Sequence, residues 1–202
     1  MLLDHAALAF GLFRQLAITR FASCSLLVFP APIPVYECLL SAYDAIHTDG
    51  IEREAVSSLC LQLLVSKSAM LQDYFGIDIN GDGSLVSIPD LLPGYTPCLH
   101  ELPLFLWQLS QLPNWDEEEQ CFGGISNCLG AFYAALPDEA TIDASSSSYE
   151  ERILGPKGQE ILEQTFLPAI RQLLIPDRTY ESLGIVSTLA SLEQLYKIFE
   201  RC

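Results

Sequence analysis

The stretch AALAFGLFRQLAI, residues 6–18, predicts a helix that is apolar on nearly every face. Leu8, Leu12 and Leu16 fall on one side of this helix, and Phe13 lies beside them. A helix with so little amphipathic character is usually buried on more than one side, either by the protein's own core or by a partner. We therefore expect this helix to lie at the centre of the fold or in an interface.

Apolar patterns further along the chain predict a mixture of helices and short strands. Residues 25–29 predict a strand that is ended by the prolines beginning at Pro30. Residues 77–88 predict a hairpin around Asn80-Gly81-Asp82-Gly83, a turn that needs positive φ. Further helices are predicted to carry Val35, Leu39, Tyr43 and Ile46, then Leu59, Leu63 and Met70, and then the residues that end near Gln111. This mixture indicates the α+β class.

The second half of the chain predicts two more helices before its last section. Asn114 is expected to cap a helix whose first turn holds the acidic residues 116–119, which suits the positive end of the helix dipole. Residues 159–175 predict a helix kinked by Pro168. Residues 138–149 are rich in serine and are predicted to form a loop.

An amphipathic stripe runs to the end of the chain. Leu192, Leu195, Tyr196 and Phe199 share one helical face, and Cys202 follows them by three residues. A stripe that continues to the final residue predicts a docked C-terminus, because chain ends are ordinarily frayed. The alternative is a helix that packs on its own core and carries an inert cysteine.

Composition and charge limit the functions that are open to the chain. Half of the 202 residues are hydrophobic and only 18% are charged, which indicates apolar surface reserved for a partner. The net charge of −16 argues against a DNA-binding surface, since phosphate contacts need clustered Lys and Arg. No apolar run reaches the length of a membrane span, and the start of the chain lacks the basic region of a secretory signal.

The cysteines do not form a recognisable framework. There are seven, without a CxxC pair or regular spacing, so neither a disulfide scaffold nor a closed zinc site is predicted. Those with apolar neighbours are interpreted as small buried hydrophobic residues: Cys24, Cys38, Cys60 and Cys128. A reducing compartment, cytosol or nucleus, follows from this usage.

The hairpin turn also has the opening of a calcium loop, Asp78-Ile79-Asn80-Gly81-Asp82-Gly83. The twelfth position of such a loop needs a bidentate Glu, and here it is Pro89. A plain turn is therefore the favoured interpretation.

Several motifs occur together in an order that is typical of one family. They are Gly11-Leu12-Phe13-Arg14-Gln15, Met70-Leu71-Gln72-Asp73-Tyr74-Phe75, Leu102-Pro103-Leu104-Phe105, the segment Asn114 to Phe122, and the ending Leu195-Tyr196-Lys197-Ile198-Phe199-Glu200-Arg201-Cys202. With these motifs the chain resembles the C-terminal domain of the Mlh-type subunit of eukaryotic MutL, a DNA mismatch repair family. The resemblance extends over nearly the whole chain.

The resemblance implies a MutL C-terminal dimerisation domain, mostly helical with a small sheet and divided into two lobes. Residues 1–46 and 113–202 would form the dimerisation lobe, and residues 47–112 the inserted external lobe. Met1-Leu2-Leu3 would be the remnant of a strand before the first helix, with earlier strands missing. An unpaired sheet edge would then make the chain poorly soluble without its partner.

The resemblance also implies a role at a heterodimer. A Pms-type subunit would bind an apolar surface that includes Gln15, Leu16, Leu195 and Tyr196. Phe199, Glu200 and Arg201 would place Cys202 in the partner's metal-dependent endonuclease site, where it could help to bind zinc. The chain alone would then need no cofactor, would have no enzymatic activity, and would act in the nucleus.

A second surface is implied near the acidic helix start. By resemblance, Trp115, Glu117 and Glu118 would bind short peptides from repair exonucleases or helicases. Carboxylates at a surface pocket suit a basic peptide residue. The alternative is a solvated helix N-terminus.

Two other functions remain open. Asp4-His5-Ala6 is similar to the start of the MutL endonuclease motif, so a divergent nuclease half with Asp4, His5 and cysteines is the second hypothesis. The helix that follows, residues 8–13, carries no carboxylate to hold metal ions, and Ile79 replaces the Asp of the MutL ATPase motif. A stand-alone peptide-binding adaptor is the third hypothesis.

Overall fold

The computed structural model describes residues 2–46, 52–137 and 155–187. In chain order the elements are β1 Leu2–Leu3, α1 His5–Thr19, β2 Ser25–Pro34, α2 Val35–Ile46, α3 Arg53–Ser66, α4 Ser68–Phe75, β3 Asp78–Ile79, β4 Ser84–Asp90, α5 Leu102–Gln111, α6 Glu118–Ala134, α7 Pro156–Ile161, α8 Leu167–Leu173, α9 Thr179–Ser182 and β5 Val186–Ser187. A π-helical turn, Leu162–Phe166, joins α7 to α8. The predicted α+β class is confirmed.

Helix α1 packs one side into the core through Leu8, Leu12 and Leu16, and its other side leaves Arg14 and Ile18 exposed. Asp4 begins it, because the Asp4 carboxylate accepts a hydrogen bond from the Ala7 N–H at 3.0 Å. Its most extensive packing is against α6. The two helices approach closely at Gly130, where an added Cβ would lie 3.1 Å from the Arg14 Cβ and 3.2 Å from the Phe10 ring.

Phe13 is the centre of an aromatic cluster on the inner side of α1. Its ring centroid lies 5.6 Å from that of Tyr95, 5.5 Å from that of Tyr133 and 5.3 Å from that of Phe166. The two tyrosines also fix the backbone, since Tyr95 donates to the Tyr133 carbonyl and Tyr133 donates to the Pro89 carbonyl. Burial raises the pKa of both hydroxyls.

The larger sheet in the described residues is antiparallel with the order β2-β4-β3. The predicted hairpin is confirmed, and the Asn80 side chain shapes its turn by accepting from the N–H groups of Asp82 and Ser84. The prediction that β2 ends at Pro30 was wrong, because the strand continues to Pro34. Proline is tolerated there because β2 pairs on one side only, and its register shifts between Val28 and Ile33.

The predicted helix through Leu59, Leu63 and Met70 is two helices. The first ends at Ser66 and the second begins at Ser68, so the sequence prediction missed a break at Lys67. The 159–175 helix is likewise interrupted, by the π-helical turn, and Pro168 lies in the first turn of α8, where a missing N–H is tolerated.

A continuous core connects the two predicted lobes. Strand β2, from the first segment, pairs with β4 of the proposed insertion, and α2 packs on α3 and α5. The buried residues of these elements belong to one hydrophobic cluster. The division into 1–46 with 113–202 and 47–112 stays a prediction. Within the part of the chain that the structure describes, no helix is long and apolar enough to cross a membrane.

Candidate functional site

The segment of residues 173–187, here called the strap, runs antiparallel along the outer side of α1. At one end, Gln15 Nε2 donates to the Leu173 carbonyl at 2.9 Å, and the Ile175 N–H donates to Gln15 Oε1 at 2.8 Å. At the other end, the Asp4 N–H donates to the Ile185 carbonyl at 2.9 Å. Strand β5 of the strap then pairs with β1 beside the start of α1. The strap is therefore fixed to α1 at both ends.

A close contact fixes the middle of the strap. The Tyr180 side chain lies against Gly11, where an added Cβ would be 2.3 Å from the Tyr180 hydroxyl oxygen. The Asp177 carboxylate accepts from the Thr179 N–H at 2.9 Å, which begins the short helix α9. This hydrogen bond lowers the pKa of Asp177. A larger residue at position 11 would therefore require the Tyr180 side chain to shift, while the Gly11 backbone itself needs no unusual φ.

Between α1 and the strap lies an open groove of about 560 Å³, here called the strap groove. The side chains of Ile18, Ile175 and Leu183 line it and are 49%, 75% and 68% exposed. Arg14 and Asp177 are the charged residues of its lining. A cluster of exposed aliphatic side chains on a chain of net charge −16 is typical of a protein-binding surface.

The structure gives the predicted partner-binding residues different positions. Gln15 is half-buried and lines the strap groove. Leu16 is only 5% exposed and belongs to the core, so its side chain has little area left for a partner. The remaining residues predicted for the heterodimer lie outside the described residues: Leu195, Tyr196, Phe199, Glu200, Arg201 and Cys202.

The residues predicted to bind peptides are brought together at the start of α6. Trp115 is half-buried, and the Lys67 ammonium nitrogen lies 5.8 Å from the centroid of its ring. The Trp115 indole nitrogen is buried and has no acceptor among the described residues. Glu117 and Glu118 are exposed beside it. Charged side chains of both signs therefore lie near a half-buried aromatic ring.

The prediction that Asn114 caps α6 was wrong. The helix begins at Glu118 with Glu117 as its N-cap residue. Asn114 instead organises the preceding turn, because its side-chain oxygen accepts from the Asp116 N–H at 3.2 Å and its amide donates to Gln120 at 2.9 Å. Glu118 and Glu119 still occupy the first helical turn, near the positive end of the dipole.

An aromatic cluster that the sequence analysis missed adjoins this surface. Phe122, one turn into α6, packs with Phe21, Tyr74 and Phe75 at ring-centroid distances of 5.0, 5.7 and 5.7 Å. Tyr74 is 40% exposed. The motif that contains Tyr74 and Phe75 was recognised, but periodicity alone does not place α4 beside α6.

The residues considered for a nuclease site have structural roles. Asp4 caps α1 and His5 is the first residue of that helix. Across residues 2–46, 52–137 and 155–187, no group of three His, Cys, Asp or Glu side chains is placed to hold a metal ion. Burial raises the pKa of Cys24, Cys38 and Cys121, and raises that of Cys128 to about 12, which keeps these thiols protonated and weak as ligands.

Comparison with known proteins gives a consistent result. Residues 1–202 match the family described as DNA mismatch repair protein Mlh1 C-terminus. The chain is 31% identical over 208 residues to DNA mismatch repair protein Mlh1 of Dictyostelium discoideum, an alignment that covers 95% of this chain and 23% of that protein. It is 30% identical over 219 residues to DNA mismatch repair protein MLH1 of Saccharomyces cerevisiae, covering 100% of this chain and 27% of the relative.

A third relative is the putative MutL protein homolog 1 of Schizosaccharomyces pombe, with 30% identity over 203 residues, 98% of this chain and 27% of the relative. The chain therefore spans about a quarter of the length of these curated relatives.

Proposed function

Because this chain belongs to the family of Mlh1 C-terminal domains, we propose that it is the heterodimerisation domain of a MutL-type DNA mismatch repair protein. The observation that carries the proposal is the strap groove, an apolar surface on a strongly acidic chain. Exposed aliphatic side chains of this kind gain free energy when a partner removes them from water. Their clustering between α1 and the strap supports recognition of a folded protein surface.

The proposed partner is a Pms-type MutL subunit, seated on the strap groove with Gln15 at its edge. Leu195 and Tyr196 would extend the same interface. We expect a buried area on the scale of obligate complexes, about 2,000 Å² or more. The net charge of −16 gives this domain no direct DNA-binding role, so DNA contact is assigned to other parts of the repair complex, which acts in the nucleus.

Within that heterodimer, Cys202 supplies a ligand to the metal site of the partner. A single thiolate provides one of about four zinc ligands, so the other ligands belong to the partner subunit. Bound zinc would polarise phosphate oxygens for hydrolysis. Phe199, Glu200 and Arg201 set the position of Cys202, and this chain remains without catalytic activity of its own.

Co-purification with a Pms-type C-terminal domain tests both parts of this proposal. The intact chain, a chain ending at Arg201, and a Cys98→Ser control should all form the heterodimer. Metal-dependent DNA nicking should drop only in the complex that lacks Cys202. Failure to form any heterodimer would overturn the dimerisation role, and nicking that is indifferent to Cys202 would overturn the ligand role.

The surface at Trp115, Glu117 and Glu118 is proposed to bind short basic peptides from repair exonucleases or helicases. The exposed carboxylates of Glu117 and Glu118 suit a Lys or Arg of the peptide, and the half-buried ring of Trp115 offers an apolar contact beside them. Fluorescence anisotropy with a labelled basic-aromatic peptide measures this binding. Glu118→Lys should weaken it by about tenfold, and Glu101→Lys, at the residue before α5, should leave it unchanged. If both variants bind the peptide with equal affinity, the acidic turn is a solvated helix N-terminus and takes no part in peptide binding.

A further inference from the structure

Gln15 is bound to the strap through both polar atoms of its side chain. The amide nitrogen donates to the Leu173 carbonyl at 2.9 Å and the amide oxygen accepts from the Ile175 N–H at 2.8 Å. This pattern is the one a neighbouring β-strand would make with residues 173 and 175. Both the nitrogen and the oxygen of the Gln15 side-chain amide therefore have a hydrogen-bond partner within the chain.

The position of Gln15 controls how the strap leaves helix α8. That helix ends at Leu173. The two hydrogen bonds of the Gln15 side chain, here called the clamp, hold Leu173 and Ile175, the residues on either side of Leu174. Ile175, the residue whose N–H donates to Gln15, is 75% exposed. Ile18, one turn further along α1 from Gln15, lines the same groove. The clamp therefore fixes the spacing between the aliphatic side chains of α1 and those of the strap.

We propose that Gln15 is a positioning residue, whose effect on partner binding comes from holding the strap to α1 and not from its own contact at the edge of the groove. This inference rests on the proposed function in one respect only, namely that the surface formed by α1 and the strap is the one that binds the partner. The clamp itself is a property of the isolated chain. The two claims can therefore be tested separately.

The first test measures amide hydrogen exchange at Ile175 in the isolated full chain. Gln15→Leu keeps the size of the side chain but removes both hydrogen bonds, so exchange at Ile175 should accelerate by about tenfold. Gln72→Leu, an exposed glutamine on α4, is the matched control and should leave Ile175 unchanged. Unaltered protection in Gln15→Leu would overturn the clamp.

Gln15→Glu gives a readout that a general loss of stability cannot imitate. A neutral Glu side chain donates to the Leu173 carbonyl and accepts from Ile175, whereas an ionised one meets the Leu173 carbonyl with negative charge. Protection of Ile175, corrected for intrinsic exchange, should rise as the pH falls from about 6 to about 3.5 in this variant only, because the ordinary pKa of a Glu side chain is about 4.3. The charged groups Arg14 and Asp177 line the groove and are present in every variant. Their effect on exchange at Ile175 is therefore the same in each variant and does not enter the difference between them.

The second test measures affinity for the Pms-type domain in a double-mutant cycle with Tyr180, the other anchor of the strap. Gln15→Leu and Tyr180→Leu should each weaken binding by about tenfold, and together by less than the product, because either change releases the same segment. Multiplicative losses, or lost binding with Ile175 still protected, would assign Gln15 to direct contact instead. If the wild-type chain binds no such partner, the proposed function fails while the exchange experiment still decides on the clamp.

Discussion

The two sides of α1 are held by different kinds of interaction. The inner side presents Leu12, Phe13 and Leu16, which are buried in the core and packed with α6 and the aromatic cluster. The outer side presents Gly11 and Gln15, which meet the strap through one close contact and two hydrogen bonds. Beside those few contacts the strap groove stays open.

This difference indicates a division of labour along one helix. A buried aromatic side chain contributes several kcal/mol through removal from water and close packing. A pair of hydrogen bonds between half-exposed groups contributes about 1–3 kcal/mol. The inner side therefore determines whether the chain folds, and the outer side determines the shape of the surface that a partner meets. Four tests, ordered by their expected effect on the free energy of unfolding, examine this division.

The largest loss is expected for Phe13→Ala on the inner side. Phe13 is fully buried and its ring contacts three other aromatic rings, so truncation leaves a cavity that its neighbours cannot fill. We expect a loss of about 3–5 kcal/mol in the free energy of unfolding, measured by urea denaturation. Ile18→Ala, on the exposed side of the same helix, should cost less than about 1 kcal/mol. Equal losses for the two variants would contradict the proposed division.

A smaller loss is expected for Gly130→Leu at the crossing of α1 and α6. The new side chain would enter space already held by Phe10 and Arg14, so the helices must separate, at a cost of about 1–3 kcal/mol. Gly123→Ala, on the same helix, meets no atom within 4 Å and should stabilise the chain by about 0.5–1 kcal/mol through helix propensity. Opposite signs in thermal unfolding are the expected result, and a neutral Gly130→Leu would show that α6 can shift.

The inner side of α1 was accessible to sequence reasoning and the outer side was not. The period of Leu8, Leu12 and Leu16 predicted the helix, and all three residues are buried. Leu16 shows the limit of that reasoning, since an apolar residue on such a helix suits the core and an interface equally well. The burial in the fold assigns it to the core.

The packing of the strap on α1 could not be predicted from the sequence, because its contacts join residues that are far apart in the chain. Gln15 and Leu173 are 158 positions apart, and no local pattern encodes their hydrogen bond. The only signal was a glutamine within an otherwise apolar stretch, which the family resemblance marked as a partner residue. The break at Lys67 and the extension of β2 through its prolines were also missed, because each depends on neighbouring elements.

Tyr133→Phe should cost about 1 kcal/mol at neutral pH. It removes the hydrogen bond to the Pro89 carbonyl, which keeps a second donor in the Leu91 N–H at 3.1 Å. The substitution also has a pH signature. Burial raises the pKa of Tyr133 from its ordinary value of 10.0, so the folded chain keeps its proton after the unfolded chain has lost it.

The sign of that effect follows from linkage. The contribution of Tyr133 is fully present below about pH 10 and is lost as pH rises above it, by up to about 1.4 kcal/mol per pH unit. Tyr95 has the same sign, and Cys128 adds to it above its ordinary value of 9.0. Tyr133→Phe should therefore flatten the alkaline fall in unfolding free energy. An unchanged slope would show that Tyr133 does not titrate with unfolding.

The smallest effect on stability is expected on the outer side, for Ile175→Asn and Leu183→Asn. Both side chains are largely exposed, so each substitution should change the free energy of unfolding by no more than about 0.5 kcal/mol. Binding of the Pms-type domain should nevertheless weaken by about tenfold or more for each variant, because polar amides would replace aliphatic groups that the partner buries. Isothermal titration calorimetry with wild-type chain as reference measures the loss. Exposed Leu59→Asn, on α3 and away from the strap groove, is the matched control and should bind normally. If Leu59→Asn weakens binding of the partner and the two strap variants do not, the interface includes α3 and the open groove beside α1 has another role.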